Sequence, residues 1–366
     1  MIIITVAIFL IVLGVLVFVH ELGHFLMARA FGTRVDEFAI GFGPKIWSRL
    51  GTEKNGIRIL YSLRAIPFGG YVKIYGENGE DGPVSADSFV NKNRFKQVVV
   101  LAAGIFFNFI FAWFVISFVF MIGAPVSPDS YTQYASRIQN QHVIVDDVVI
   151  GSPAEKAGLK AETVITSVGP VGGNQIEHPS VQQIQNTVNT GAGKPVLING
   201  ISVTPVTGIV PGASSTYAIG IDMEDAGTLR LPPLNAIWEG AKFTVFIMQE
   251  TIQGVWGLIV GLFHHDTATL SQVSGVVGIY GYVRDAVQVG FIHLLMLVAV
   301  ISVNLGVLNL VPFPGLDGSR ILVVGIEAVI RRPLKASVMS VIYTGGFCAL
   351  ILLSLFIAYH DIATRL

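Results

Sequence analysis

From Ile2 to Val19 the chain carries no charged side chain, and three further stretches share that character. Crossing a bilayer takes about 20 predominantly apolar residues. Val98 to Ala124 is uncharged throughout, about Ala286 to Val311 holds only His293, Asn304 and Asn309 as notable polar groups, and about Ala336 to Ala358 completes the set. Backbone polar groups in lipid must be satisfied internally, which favours helices. The expected fold is therefore an α-helical polytopic membrane protein with four transmembrane helices. Composition agrees: 52% of the 366 residues are hydrophobic and 13% charged, against about 25% charged in soluble domains. A net charge of −1 gives no reason to expect nucleic acid as a partner. Cys348, the single cysteine, excludes an intramolecular disulfide and a cysteine-based zinc site; it reads as a small residue in an apolar helix.

Charge asymmetry orients the spans. Eleven Lys/Arg lie between Arg29 and Lys96, against five in the longer segment between Gly123 and Arg230, and Arg320, Arg331, Arg332 and Lys335 precede the last span. The positive-inside rule places 29–96 and 317–335 in the cytoplasm and 123–230 outside, with both termini outside. Ala28-Arg29-Ala30 imitates a signal-peptidase site, but the start lacks a basic region and His20, Glu21 and His24 sit where a signal peptide is bland. A retained first span is expected.

The first span ends in His20-Glu21-Leu22-Gly23-His24. Helix positions i and i+4 share a face, so both imidazoles can reach one metal ion, and Glu21 stands where a general base would meet a water at that metal. A catalytic zinc site wants three protein ligands and an open position. No H-E-x-x-H-x-x-G-x-x-H continuation follows, so the third ligand comes from elsewhere. His293 lies toward the outer start of the third span, whereas Asp317 closes the run Asn309-Leu-Val-Pro312-Phe-Pro314-Gly-Leu-Asp317-Gly318 at its inner end. The topology selects Asp317. The two prolines predict irregular backbone there, which is tolerated at membrane depth where it is buried or lines a cavity. Asn309 offers an amide either to a substrate carbonyl or oxyanion or to a neighbouring helix. Gly104-x-x-x-Asn108 in the second span reads first as a close helix-packing face.

Between the spans, Arg58 to Leu63 and Ala65 to Tyr75 read as strands, with a turn signal at Gly41-Phe42-Gly43-Pro44. This apolar, membrane-associated β-hairpin region either adds a strand to an extended substrate or is an ordinary surface hairpin. Short β-like runs at Val143–Val149, Thr163–Val168, Pro195–Val203 and Tyr217–Ile221, with a helix over Ser180–Thr190, mark a small domain. Its Gly151-Ser-Pro-Ala-Glu-Lys-Ala-Gly-Leu159 stretch resembles bacterial PDZ domains, without their usual following Gly-Asp. This gives one inserted extracytoplasmic PDZ-like β-rich domain. Leu234 to Phe263 has helical apolar spacing interrupted by Glu239, Lys242 and Glu250, which favours interfacial amphipathic helices. His264-His265-Asp266 reads as a solvated turn. The organisation expected is 1–28 first span, 29–96 cytoplasmic loop, 97–124 second span, 125–228 PDZ-like domain, 229–285 interfacial helices, 286–318 third span, 319–335 cytoplasmic link and 336–366 fourth span with tail.

Together these motifs resemble the site-2 protease family of intramembrane zinc metalloproteases, in its bacterial RseP-type form with a single PDZ domain. The resemblance covers most of the chain, and Ser274-Gly-Val-Val-Gly-Ile279 is similar to a family G-P-x-G-I stretch with Val276 in place of proline. It implies that His20, His24 and Asp317 bind zinc and that Glu21 is the catalytic base. It further implies that Asn309, Pro312 and Pro314 shape the site and that the 65–74 hairpin, with Ile66, Phe68, Gly69, Gly70 and Tyr71, presents substrate as a strand. Implied partners are the lipid bilayer of a bacterial inner membrane and single-span membrane proteins trimmed beforehand by another protease, such as anti-sigma factors, remnant signal peptides or membrane-bound regulators. The external domain would serve as a size filter or docking gate. The rivals are a non-enzymatic PDZ-bearing scaffold and a zinc transporter with the same ligands. Intact Glu21 and Asp317 speak against the first, and the absence of an inverted repeat speaks against the second.

Overall fold

A computed structural model describes residues 2–52, 58–77, 85–209, 216–263 and 275–332, with scattered helical residues between 334 and 357. His264, His265, Asp266 and most of the expected fourth span lie outside the described residues. The chain divides into two compact units, residues 1–119 with 236–366, and residues 120–235.

In the first unit, α1 (Ile2–Ala30) and α2 (Arg94–Ile122) are long apolar helices that match the first two expected spans. They approach closely because Gly23 carries no side chain: a Cβ there would stand 2.4 Å from the Ala103 carbonyl oxygen. β1 (Val35–Thr52) and β2 (Arg58–Ile74) form one antiparallel hairpin. The two strands expected over 58–75 are one continuous strand, and its partner over 35–52 escaped the sequence reading. The expected turn does bend β1. Gly41 and Gly43 take positive φ of 84° and 82°, which only glycine adopts at little cost. Residues 35–40 pair with 70–74 on one side (Val35↔Ile74 to Ile40↔Gly70) and lie beside 60–63 on the other (Glu37↔Leu60 to Ile40↔Leu63). Beyond the bend, Lys45 to Thr52 pairs with 58–64.

This folded hairpin is pinned from within. Ser62 and Arg64 donate to Glu37 Oε1 at 2.6 and 2.9 Å, and the Tyr71 hydroxyl donates to Oε2 at 3.1 Å. Burial alone would push the Glu37 carboxyl up, but these hydrogen bonds and the Arg64 charge outweigh it and hold the carboxyl below its ordinary range. One side chain thereby joins three strand segments. Phe25 and Ala28 of α1 pack with Val35, Phe38, Ile59, Val72 and Ile74 of the hairpin and with Val100 and Leu101 of α2.

α5 (Pro233–Phe263, numbered after the two short helices of the second unit) differs from the expected interfacial helices. It runs 31 residues without a break and is long and apolar enough to cross a membrane. Trp113 Nε1 of α2 donates to the Ile237 carbonyl at 2.9 Å near its start. Further along, Thr251 Oγ1 donates at 2.6 Å to Asn304 Oδ1. Glu239 and Lys242, whose charges argued against a span, pair with each other at 2.9 Å. α6 (Val276–Val289) follows, opened by the 274–279 stretch, of which Ser274 lies outside the described residues. Gly290, at φ 141°, separates it from α7 (Phe291–Leu310), so the helix expected as the third span starts five residues later than the sequence suggested. After the irregular segment 311–316 comes α8 (Asp317–Ile330). Val12 and Leu16 of α1 pack on Val298 of α7.

Among its described residues the second unit holds two four-stranded sheets and short helices. β3 (Ala124–Val126), β4 (Ile138–Val148), β5 (Val164–Ile165) and β10 (Ile221–Leu229) assemble in the order β3-β10-β4-β5. β6 (Ser167–Pro170), β7 (Ile176–Glu177), β8 (Val196–Ile198) and β9 (Ile201–Val203) assemble as β7-β6-β8-β9. α3 (Pro153–Lys156) is capped by Ser152, and α4 (Val181–Thr190) by a Ser180–Gln183 capping box at the expected boundary. Val143, Val145, Leu159, Ile165, Ile184 and Ile198 fill the core between them.

Candidate metal centre

His20 and His24 occupy one face of α1, buried at 8% and 7% exposure. Asp317, 293 residues further along, is brought against them. Its Oδ2 lies 3.0 Å from His20 Nε2 and 3.3 Å from His24 Nε2, and the two Nε2 atoms are 3.2 Å apart. All three ligand atoms fall within 4.8 Å of one another. Asp317 Oδ2 is buried and has no hydrogen-bond partner of proper geometry. A carboxylate oxygen left in that condition between two imidazole nitrogens is the donor set a divalent zinc ion satisfies, so the residues present fit the metal. His293 takes no part: it lies in the first turn of α7, about 25 Å along the helix from Leu310 at 1.5 Å per residue.

Local structure explains how Asp317 arrives. Pro312 and Pro314 lie in the irregular segment, as expected, where the Val311 N–H reaches the Leu308 carbonyl and the Phe313 N–H the Val311 carbonyl. The chain then turns sharply enough that a Cβ on Gly318 would stand 2.3 Å from the Leu310 carbonyl oxygen. Glycine after Asp317 is therefore a packing requirement. Asp317 itself is the first residue of α8, where the helix dipole favours a carboxylate. α8 is held by Arg320 paired with Glu77 at the end of the hairpin and by Glu327 with Arg94 of α2 at 2.7 Å. Burial pushes the Glu77 carboxyl up against the opposing pull of Arg320.

Glu21 faces two cavities. One, of about 360 Å³, is polar and bordered by Glu21, His24, Tyr71, Lys73, Glu77, Asp317 and Arg320. The other, of about 260 Å³, is bordered by Val17, His20, Glu21, Gly69, Gly70, Asn309 and Asp317. The backbone N–H of Val72 hydrogen-bonds the Glu21 carboxylate, so the outer edge of residues 70–74 faces the site. Asn309, Gly69, Gly70 and Tyr71 are thus all brought to it. Ile66 sits further along β2 opposite Phe42 and borders neither cavity. The side chain of Phe68 lies outside the described residues.

Residues 8–353 match the model of peptidase family M50. The chain belongs to that family, the site-2 proteases. Curated relatives match over nearly full length. A protein of Mesorhizobium japonicum assigned as a zinc metalloprotease is 32% identical, with 97% of each chain covered. A similarly assigned protein of Clostridium acetobutylicum is 31% identical over 95% of this chain and 94% of its own. The regulator of sigma-E protease RseP of Salmonella typhimurium is 28% identical over 97% of each. This M50 member is a zinc metalloprotease.

The sequence reading missed α2's part in the site. His24 Nδ1 lies 2.9 Å from the Val100 carbonyl, its ring covers Gly104, and Asn108 reaches His20. A signal was present: Gly104 and Asn108 repeat the four-residue spacing of the two histidines on the facing helix.

Proposed function

We propose that this protein is an intramembrane endopeptidase that hydrolyses peptide bonds within or near the membrane-spanning segment of single-span proteins. The observation that carries the reading is the convergence of His20, His24 and Asp317 beside Glu21 at the end of an uncharged helix. His20, His24 and Asp317 hold the zinc. The chemistry zinc would supply at these residues is that of a Lewis acid, which brings the pKa of water down to about 7. Glu21, oriented by the Val72 N–H, would take a proton from a water as its oxygen attacks the scissile carbonyl carbon. The C–N bond then breaks, and Glu21 returns the proton to the departing amine. Asn309 offers its amide to the carbonyl oxygen as negative charge develops there.

A membrane helix keeps its carbonyls hydrogen-bonded internally, so a substrate must unwind before attack. The outer edge of residues 70–74 gives the unwound segment backbone partners as an added strand. The polar cavity bordered by Lys73, Glu77 and Arg320 gives water a route to Glu21. Ile46, Trp47 and Leu50, exposed at 67%, 54% and 61%, suit a hairpin immersed in lipid. The second unit, with its Ser152-capped turn between strands, is read as the PDZ-like domain that filters or docks substrates already trimmed by another protease. Sigma-factor regulation, as in the Salmonella relative's name, is one assignment that fits. The setting is a bacterial inner membrane with the site toward the cytoplasm.

Two measurements test this. Stripping zinc with a chelator should end cleavage of a single-span reporter and zinc alone should restore it, while Asp317→Ala should leave the purified protein without stoichiometric zinc; zinc retention by that variant would remove Asp317 from the ligand set. In a Cys348→Ser background, Ala86→Cys should resist an impermeant thiol reagent added outside intact cells and Glu177→Cys should label. The reverse pattern would invert the orientation.

A further inference from the structure

α2 lays three groups against the metal-facing residues of α1. Val100, Gly104 and Asn108 fall four residues apart on one helix face. His24 has its outer nitrogen settled by this face, since Nδ1 lies 2.9 Å from the Val100 carbonyl and can donate only a proton to it. Nε2 is then left as the lone-pair nitrogen, turned toward Asp317. Among the described residues, His20 has no backbone carbonyl in that role. Its Nδ1 lies 3.2 Å from the Asn108 side-chain amide.

Asn108 is fully buried, and its own carbonyl is fixed by the Ser302 hydroxyl of α7 at 2.9 Å. Its side-chain nitrogen faces His20 Nδ1, while its side-chain oxygen is buried with no hydrogen-bond partner. That arrangement suits an imidazole carrying its proton on Nε2, the nitrogen 3.0 Å from Asp317 Oδ2. Metal binding requires the other tautomer, with the proton on Nδ1 and the lone pair on Nε2. A half-turn of the amide exchanges its oxygen and nitrogen in nearly the same space, so the orphaned oxygen would accept from Nδ1–H. The two amide orientations cannot be told apart by shape, and only the hydrogen-bonding need of His20 chooses between them.

We infer that Asn108 is a positioning residue for zinc: it holds the His20 ring in plane and, by turning its amide, stabilises the tautomer whose Nε2 faces the metal. Histidine ligands commonly donate their second nitrogen to a carboxylate, carbonyl or water; here a side-chain amide from the facing helix takes that role, and it can serve the metal-free and metal-loaded states in turn. Leucine has a similar size but no acceptor. Aspartate has an acceptor but no donor. The inference rests on the reading of His20, His24 and Asp317 as zinc ligands.

The test is zinc affinity of the purified full-length protein, measured by competition with a chelator, in wild type, Asn108→Leu and Asn108→Asp. Asn108→Leu should bind zinc about 10–100-fold more weakly, the range for loss of such a partner, and Asn108→Asp should recover most of that loss. Wild-type affinity in Asn108→Leu would overturn the inference. So would equal losses in both variants, because packing alone would then account for the position. Failure of the wild type itself to bind one zinc would instead overturn the ligand assignment.

Discussion

Glu21→Gln should slow peptide-bond cleavage by about 10²–10⁴-fold, the usual contribution of a general base, with zinc still bound. Glutamine keeps the size of the side chain and an oxygen to accept from the Val72 N–H, so neither the edge of β2 nor the helix is disturbed. None of the three groups closest to one another, His20, His24 and Asp317, is altered. What disappears is the ability to take a proton from water and return it to the leaving amine. The measurement is turnover of a single-span reporter beside zinc content of the same preparation. Cleavage at the wild-type rate by a zinc-loaded variant would remove Glu21 from the mechanism. The same experiment separates a protease from a transporter or scaffold, for which the substitution should leave function intact.

Gly104→Ala should abolish zinc binding while leaving the helix at least as stable. In a helix interior alanine is favoured over glycine by about 1 kcal/mol, so on propensity alone the change is benign. Sterically it is not. The added Cβ would stand 2.3 Å from His24 Nε2, 2.7 Å from Cε1 and 2.8 Å from Cδ2. An imidazole can swing away at modest cost to the fold, but the atom displaced is the one turned toward the metal, and the swing also breaks its contact with the Val100 carbonyl. Zinc stoichiometry should fall well below one, and proteolysis with it, while the zinc-free protein melts no lower than wild type. Stoichiometric zinc in Gly104→Ala would show that His24 binds from another rotamer.

Much of this was legible in the sequence because lipid permits so few solutions. Uncharged runs announced α1, α2 and α7, and charge bias placed Asp317 on the side of the histidines. The proline-bearing exit of α7 was irregular as its missing N–H groups required. Other features depend on pairing, which one strand's composition does not reveal. β1 escaped because its apolar and charged residues do not alternate across the Gly41–Pro44 bend, and because residues 35–40 are paired on both sides. The Glu37–Ser62–Arg64–Tyr71 network joins residues up to 34 positions apart and exists only in the folded hairpin. α5 was read as broken interfacial helices because of its charges, yet Glu239 and Lys242 pair with each other inside one continuous helix. Asn108 was read as packing surface, which it also is. Its second role shows only against the spacing of the histidines on the opposing helix.

The distance in sequence between His24 and Asp317 has a consequence during synthesis. Ribosomes add about 5–20 residues per second, so the carboxylate ligand emerges roughly 15–60 seconds after the second histidine. Until α8 docks against α1, a growing chain carries two imidazoles and a base with no third ligand to hold the metal. On the proposed ligand set, a half-made chain in the insertion machinery, surrounded by other unfolded membrane segments, has no means to cut them. Completion of the bundle is then itself the step that arms the enzyme.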